Sequence, residues 1–154
     1  MRVSIHENPS VTEDHADIHC RHATGEILWA AGLLEKSGER LMGQRDGEET
    51  PLSVPCIFYF EAVEKRTFAC LEKEVFEVPL SLKEAEEQFQ SLGFVRISKS
   101  VVVNLYRIQS VRNDFEMRLL IRLDNQETLV ISRHYRDGFR QRLAAALQGR
   151  RSRS

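Results

Sequence analysis

The sequence predicts an α+β fold, mostly antiparallel β-sheet with two helices, preceded by a short strand–strand–helix segment at the N-terminus. Three observations predict it. Short β-branched and aromatic runs, such as CIFYF at 56–60 and VVV at 101–103, recur from residue 56 onward, and such runs suit a pleated, half-buried surface. The polar turns between them are too short for a helical crossover, so neighbouring strands must be antiparallel. Helical periodicity in this region is confined to 81–93 and 132–149.

At 154 residues the chain fits one domain, or one domain with a small appendage. A hydrophobic share of 42% supplies a core, and 29% charge gives a solvated surface. No stretch approaches the roughly 18 consecutive apolar residues of a membrane span, so no direct membrane insertion is expected. MRVSIHENPS has no apolar signal-peptide core, which argues against secretion. Cys20, Cys56 and Cys70 are odd in number and lack CxxC spacing, and are expected to be reduced core residues of a cytoplasmic protein.

In chain order, Arg2–His6 alternates, with Val3 and Ile5 on one side and Pro9 as a stop, so a short strand is expected. Ala16, Ile18 and Cys20 alternate against Asp17, His19 and Arg21 and predict a second. A helix follows from Thr24, whose hydroxyl suits an N-cap, with Ile27, Leu28, Ala31 and Leu34 at helical spacing and Ser37-Gly38 as its end. A further strand at Arg40–Gln44 enters a turn at Asp46-Gly47. Residues 1–50 thus form a small α+β segment, too short to bury a core alone, and a homodimerisation element is expected.

The second part, 51–149, opens with the aromatic run 56–63. A turn at Glu64–Arg66, a strand at 67–71, a turn at 72–74 and a strand at 75–79 complete a meander. Ser81 and Glu84 form a capping box for a helix burying Leu82, Ala85, Phe89 and Leu92, with Gly93 as its left-handed exit. Val101–Val103 predicts a buried strand, followed by strand around Ile108 and a turn at Asn113-Asp114. In the next strand Met117, Leu119, Ile121 and Leu123 face one way, Arg118 and Arg122 the other. Arg118 and Arg122 are expected to be solvated charges. After a turn at 124–126, residues 127–131 return, and Ser132 caps a final helix that Gly149 ends. Residues 150–154 form a basic tail.

Charge is divided along the chain. Residues 1–95 carry 9 Lys/Arg against 18 Asp/Glu, a balance of −9, and residues 96–154 carry 13 against 5, a balance of +8. The net charge of −1 conceals a basic half able to meet an anion.

An aromatic strand with a basic turn, then PLSLKEAEEQF, GFVRISKSVVVNLYRI, an alternating hairpin and LVISRHYRDGF, in that order, resembles the LytTR-type DNA-binding domain of bacterial transcription regulators. The resemblance runs from about Pro51 to Leu147. It implies a mostly β domain that reads double-stranded DNA with loops projecting from its sheets, without a helix-turn-helix. It also implies three DNA-facing segments. The first is the turn with Lys65 and Arg66. The second is Arg96–Ser100, including Ser98 and Ser100, with Lys99 at a base edge. The third is Ser132-Arg133-His134, with Arg133 at a guanine, and Arg136 beyond it at phosphate. Standalone members of the family often work beside a membrane-protein partner. Residues 1–50 are too few for the phospho-receiver domain that many such regulators carry.

The residues give their own warrants. Arg133 at a helix start opposes the macrodipole, yet its planar fork can bind guanine O6 and N7 together. Ser98 and Ser100 can donate to phosphate oxygens or satisfy local backbone in a turn. Asn104, inside the apolar run, is expected to bond backbone. His15, His19, Cys20 and His22 carry zinc-ligand chemistry but no usual zinc spacing. Ser132, His134 and Asp137 contain the residue types of a triad without a nucleophile elbow, and no Gly-rich phosphate loop occurs. The expectation is a sequence-specific DNA-binding transcriptional regulator, not an enzyme, without metal or cofactor. Its alternatives are an interaction module of the same fold that has lost DNA binding, or a metal-sensing regulator.

Overall fold

The computed structural model describes residues 1–35 and 41–151, the last five as backbone only. Its strands are β1 (Leu41–Arg45), β2 (Glu48–Leu52), β3 (Tyr59–Val63), β4 (Arg66–Cys70), β5 (Val75–Val78), β6 (Phe94–Arg96), β7 (Val101–Asn104), β8 (Ile108–Asn113), β9 (Leu119–Leu123) and β10 (Thr128–Ile131). The helices are α1 (Gly25–Glu35), α2 (Leu82–Gln88) and α3 (Arg136–Arg151). The first seven strands form one sheet, in the order β2-β1-β5-β4-β3-β7-β6, and the last three form a second, β10-β9-β8. Every pairing is antiparallel, so the fold class expected from the sequence is the one found.

Local chemistry explains the hairpins. Asp46 and Gly47, at φ 53° and 80°, join β1 to β2, and Glu64 and Lys65, at φ 50° and 67°, join β3 to β4. Two left-handed residues in a two-residue loop match the right-handed twist of the flanking strands. The second turn achieves this without glycine, and Arg66 belongs to β4 rather than to the turn. Because Gln44 lies opposite Glu77, β1 extends the meander, and the sheet continues across residues 45–54.

The capping box of α2 is present: the Glu84 N–H donates to Ser81 Oγ at 3.1 Å, and the Ser81 N–H donates to Glu84 Oε1 at 3.4 Å. Leu82, Ala85, Phe89 and Leu92 are all buried, and Gly93 takes the left-handed exit at φ 92°. An added Cβ at Gly93 would lie 2.4 Å from the Tyr106 ring, so space as well as conformation demands glycine there.

Two apolar cores share a wall. The larger contains Phe60, Phe89 and Phe94, whose rings pack with centroids 5.5–5.9 Å apart. The smaller contains Ile97, Leu119, Ile121, Leu123, Ile131 and Phe139. Side chains of β6 and β7 alternate between them, with Phe94 and Val102 in the first and Val95 and Val103 in the second. This is why the run 101–103 is uniformly β-branched: it is covered on both faces. Asn104 ends the run as expected, its Nδ2 donating to the Ile57 carbonyl at 3.0 Å and its Oδ1 accepting from the Tyr106 N–H at 3.1 Å.

Several expectations are corrected. Arg2–His6 and Ala16–Cys20 carry no strand, and Val3 and Ile5 are exposed at 77% and 88%. Alternation forms a strand only when a neighbour supplies hydrogen bonds, and among the described residues no sheet edge takes these segments. Helix α1 begins where expected, with the Ile27 N–H 3.4 Å from Thr24 Oγ1, but Leu28 and Leu34 are exposed. Its inner side is instead Gly32 and Trp29, the latter 4.6 Å from the Tyr106 ring. The expected ending at Ser37-Gly38 and the first residue of the Arg40–Gln44 strand lie outside the described residues.

Cys70 is buried, but Cys20 and Cys56 are exposed, so only one of the three is a core residue. Burial pushes the Cys70 thiol up to about 11. Met117 precedes β9 at φ 61° and is 66% exposed, while Leu120, on the face assigned to solvent, is buried. Ser132 makes no capping hydrogen bond; it precedes a 3-10 turn, Arg133–Tyr135, that leads into α3. Gly149 does not stop α3, which continues to Arg151 and takes up the start of the expected tail. One glycine costs a helix about 1 kcal/mol, too little to end it.

Phe60 is fully buried between two phenylalanines. Phe60→Ala is expected to lower stability by about 3–5 kcal/mol, measured by urea unfolding of the full chain.

Candidate nucleic-acid interface

The loop between β6 and β7 joins all three sequence-defined segments through backbone hydrogen bonds. The Ser100 carbonyl accepts from the Ala62 N–H of β3 at 2.9 Å, which ties the loop to the hairpin ending in Glu64-Lys65. The Ile97 carbonyl accepts from the Ser132 N–H at 2.9 Å, which ties it to the chain entering Arg133 and His134. The loop closes on itself, the Ile97 N–H donating to the Val101 carbonyl at 3.0 Å. Ile97 is fully buried in the smaller core and anchors this junction.

Arg96 holds the loop from inside. Its Nε donates to the Ser98 carbonyl at 2.7 Å, its Nη2 to the Lys99 carbonyl at 2.6 Å and its Nη1 to Glu86 Oε2 at 3.5 Å. With 20% of its side chain exposed, Arg96 is chiefly a brace. Ser98 is also engaged locally, its Oγ accepting from the Ser100 N–H at 3.2 Å and lying 3.4 Å from Ser100 Oγ. Of the two readings of these serines, the turn-forming one describes Ser98; Ser100 stays exposed. Lys99, at the tip, is exposed and its ammonium has no hydrogen bond or ion pair among the described residues.

In the first segment, Arg66 pairs across the sheet with Glu77. Its Nε donates to Oε1 at 3.0 Å, its Nη2 donates to Oε2, and its guanidinium lies 5.4 Å from the Phe68 ring centroid. The hydrogen bond from Arg66 holds the Glu77 carboxyl below the usual carboxylate range. Lys65, on the left-handed turn, carries no such partner among the described residues. Lys65, Arg66, Arg96 and Lys99 line one concavity of about 520 Å³, with Glu77 on its wall. Two segments far apart in sequence therefore face a common space.

The third segment is a rim beside them. Arg133 and His134 are exposed in the 3-10 turn, and the His134 ring meets Tyr135 edge-on at 5.1 Å. Arg133 opens the 3-10 turn that runs directly into α3, and Asp137 supplies the acidic charge in the first turn of α3. Arg136 donates from Nη2 to the Met117 carbonyl at 2.8 Å, and its buried Nε has no partner among the described residues. Arg136 thus fastens the β8–β9 loop to the start of α3.

Arg118 differs from its sequence expectation, and Arg107 has a role that no sequence expectation covered. Arg118 is not a plain solvated charge: its Nε donates to Asp114 Oδ2 at 2.6 Å. Arg107, just before β8, donates twice to the Pro55 carbonyl, at 3.2 and 3.0 Å, and covers the Phe58 ring. Spacing in sequence contains neither partner of Arg107. The Asp114–Arg118 loop also went unmarked by periodicity, since its signal is a single acid bonding backbone two and four residues ahead. Among the described residues, no three His, Cys, Asp or Glu converge to hold a metal ion, and no helix is long and apolar enough to cross a membrane.

A sheet-built junction carrying cationic loops defines a class of nucleic-acid-binding β domain, and comparison gives it a family. The LytTr DNA-binding domain family matches residues 48–144, and the chain belongs to it. Transcriptional regulators described as HTH-type from Staphylococcus aureus, strains NCTC 8325 and RF122, are 29% and 28% identical over 147 residues, 94% of this chain and 99% of each relative. A solved LytTr DNA-binding domain from Bacillus cereus aligns with TM-score 0.63 at 26% identity, over 68% of this chain and 95% of that one. Among the described residues each α-helix is separated from the next by strands, so none forms a helix-turn-helix.

Arg96→Ala is expected to lower stability by about 1–3 kcal/mol, because it leaves two loop carbonyls without their charged donor. It is also expected to speed amide exchange at Ser100 and Val101. Arg96→Lys restores little, since one ammonium cannot span the positions of a planar fork.

Proposed function

We propose that this protein is a cytoplasmic, sequence-specific transcriptional regulator that binds duplex DNA through the three linked loop segments. The observation that carries this reading is the convergence of Lys65 and Lys99 on one concavity, beside a rim that presents Arg133 and His134. Exposed cations without internal partners are available to phosphates and base edges. Lys99 and Arg133 choose sequence, Lys65 and His134 support them, and the Ser100 hydroxyl donates to phosphate. Arg66, Arg96, Ser98 and Arg136, each engaged within the protein, set the loops in place and add positive potential. The basic balance of residues 96–154 adds attraction for a polyanion.

The N-terminal segment is, in this reading, a homodimerisation element. Val3 and Ile5 stand largely exposed, and Val11 and Ile18 partly so, and paired half-sites on DNA favour a two-fold protein. Light scattering at micromolar concentration is expected to give twice the chain mass; a monomer overturns this part of the proposal.

Selection of bound sequences from random duplex DNA tests the central claim, with enrichment of a defined motif as the expected result. Affinity for the selected duplex should fall steeply between about 50 and 200 mM salt. Arg133→Ala should cost about 1–3 kcal/mol and relax choice at one base pair. Binding by Arg133→Ala equal to wild type on every sequence would refute the role of Arg133. A chain that enriches no motif and shows no salt dependence would instead fit an interaction module.

A further inference from the structure

The loop Asp114–Arg118 holds an aromatic side chain away from the protein. Phe115 is 107% exposed and Met117, beside it, 66%. Single exposed apolar residues are ordinary, but this pair sits on a built support. Asp114 Oδ1 accepts from the backbone N–H groups of Glu116 at 3.0 Å and Arg118 at 2.8 Å. Its Oδ2 accepts from Arg118 Nε at 2.6 Å. The backbone closes the same turn, with the Asp114 N–H donating to the Arg118 carbonyl at 3.0 Å and the Met117 N–H to the Asp114 carbonyl at 3.1 Å. Met117 takes a left-handed conformation at φ 61°, uncommon for a residue with a side chain. A loop fixed in this way loses little freedom when its tip is buried by a partner.

Position and charge indicate the partner. Arg136 Nη2 donates to the Met117 carbonyl at 2.8 Å, so the loop is fastened to the chain immediately after Arg133 and His134. Within 112–118, Arg112 and Arg118 balance Asp114 and Glu116. Arg118 lies against both acids, at 2.6 and 3.4 Å. The tip can therefore approach a polyanion without net repulsion. An apolar tip between arginines, beside a cationic rim, has the chemistry of side chains that enter between base pairs and unstack them.

We propose that Phe115, backed by Met117, is an apolar wedge that lodges against a base step of duplex DNA flanking the bound site, partly unstacks it and bends the duplex. This rests on the DNA-binding reading above and adds a fourth contact, one that responds to the deformability of the flank. Pyrimidine–purine steps such as TA unstack most readily, so the wedge favours them over stiff AA steps in the flank.

The test uses the full chain and a duplex recovered by selection, lengthened on both sides, labelled at its ends for energy transfer and carrying 2-aminopurine in the flank. Wild type is expected to brighten 2-aminopurine at one flanking step, shorten the end-to-end distance and prefer a TA step there. Phe115→Ala should lose all three effects and bind about tenfold more weakly, with a melting temperature equal to wild type. Phe115→Trp should keep them. If Phe115→Ala brightens, bends and binds like wild type while Arg133→Ala still loses affinity, the wedge is overturned and the DNA reading stands. If wild type binds no duplex, both fall. If Phe115→Ala changes transcription of a target promoter with binding and bending unaltered, the tip docks a protein and the wedge is likewise overturned.

Discussion

The paired strands Phe94–Arg96 and Val101–Asn104 are covered on two sides at once, and the rest of the domain is arranged around that requirement. Side chains alternate at a period of two, so a strand covered on one face may be polar on the other; these have no such free face. Phe94 and Val102 fill the core against α2 and the larger sheet, while Val95, Ile97 and Val103 fill the core against the smaller sheet and α3. A shift of register by one residue would exchange the two sets and misfit both cores. The loop between β6 and β7 inherits this fixed position. Its carbonyls can then serve as acceptors for the ends of the other two segments.

Around that loop the cations divide by what they touch. Arg66 lies against Glu77, Arg96 against two carbonyls and Glu86, Arg107 against the Pro55 carbonyl, and Arg136 against the Met117 carbonyl. Lys65, Lys99 and Arg133 have no such partner among the described residues. Guanidinium groups, with several donors in one plane, are the ones used internally, and both lysines point outward. That follows from geometry: an ammonium gives one compact point of charge, whereas a guanidinium can join several acceptors in a fixed arrangement.

How much of this the sequence revealed depended on whether the signal was local. The capping box at Ser81, the left-handed exit at Gly93 and the doubly buried run at 101–103 are written in adjacent residues, and all are found. The N-terminal strands failed because alternation states only that a face is apolar, and the neighbour that would complete the ladder is not encoded nearby. Met117 failed because Asp114 captures the backbone into a loop before alternation can act. The three candidate segments were legible by resemblance and by charge. Which of their arginines turn inward was not, since Glu77 and Glu86 lie ten or more residues from their partners. The concavity shared by Lys65 and Lys99 is a property of strand order, which no short window contains.

The hairpin tip, the β6–β7 loop and the 3-10 turn share one property with a bearing on descent. Each presents a side chain, Lys65, Lys99 or Arg133, that stands outside the cores and has no internal partner among the described residues. Replacing Lys99 or Arg133 changes stability by about 0.5 kcal/mol or less, whereas Lys65, at φ 67°, also has to suit a left-handed turn. The positions of Lys99 and Arg133 are therefore free to drift, while the braces and doubly buried strands beneath them are held by packing. A lineage built on this scaffold can change what its surface recognises one residue at a time without passing through an unfolded ancestor.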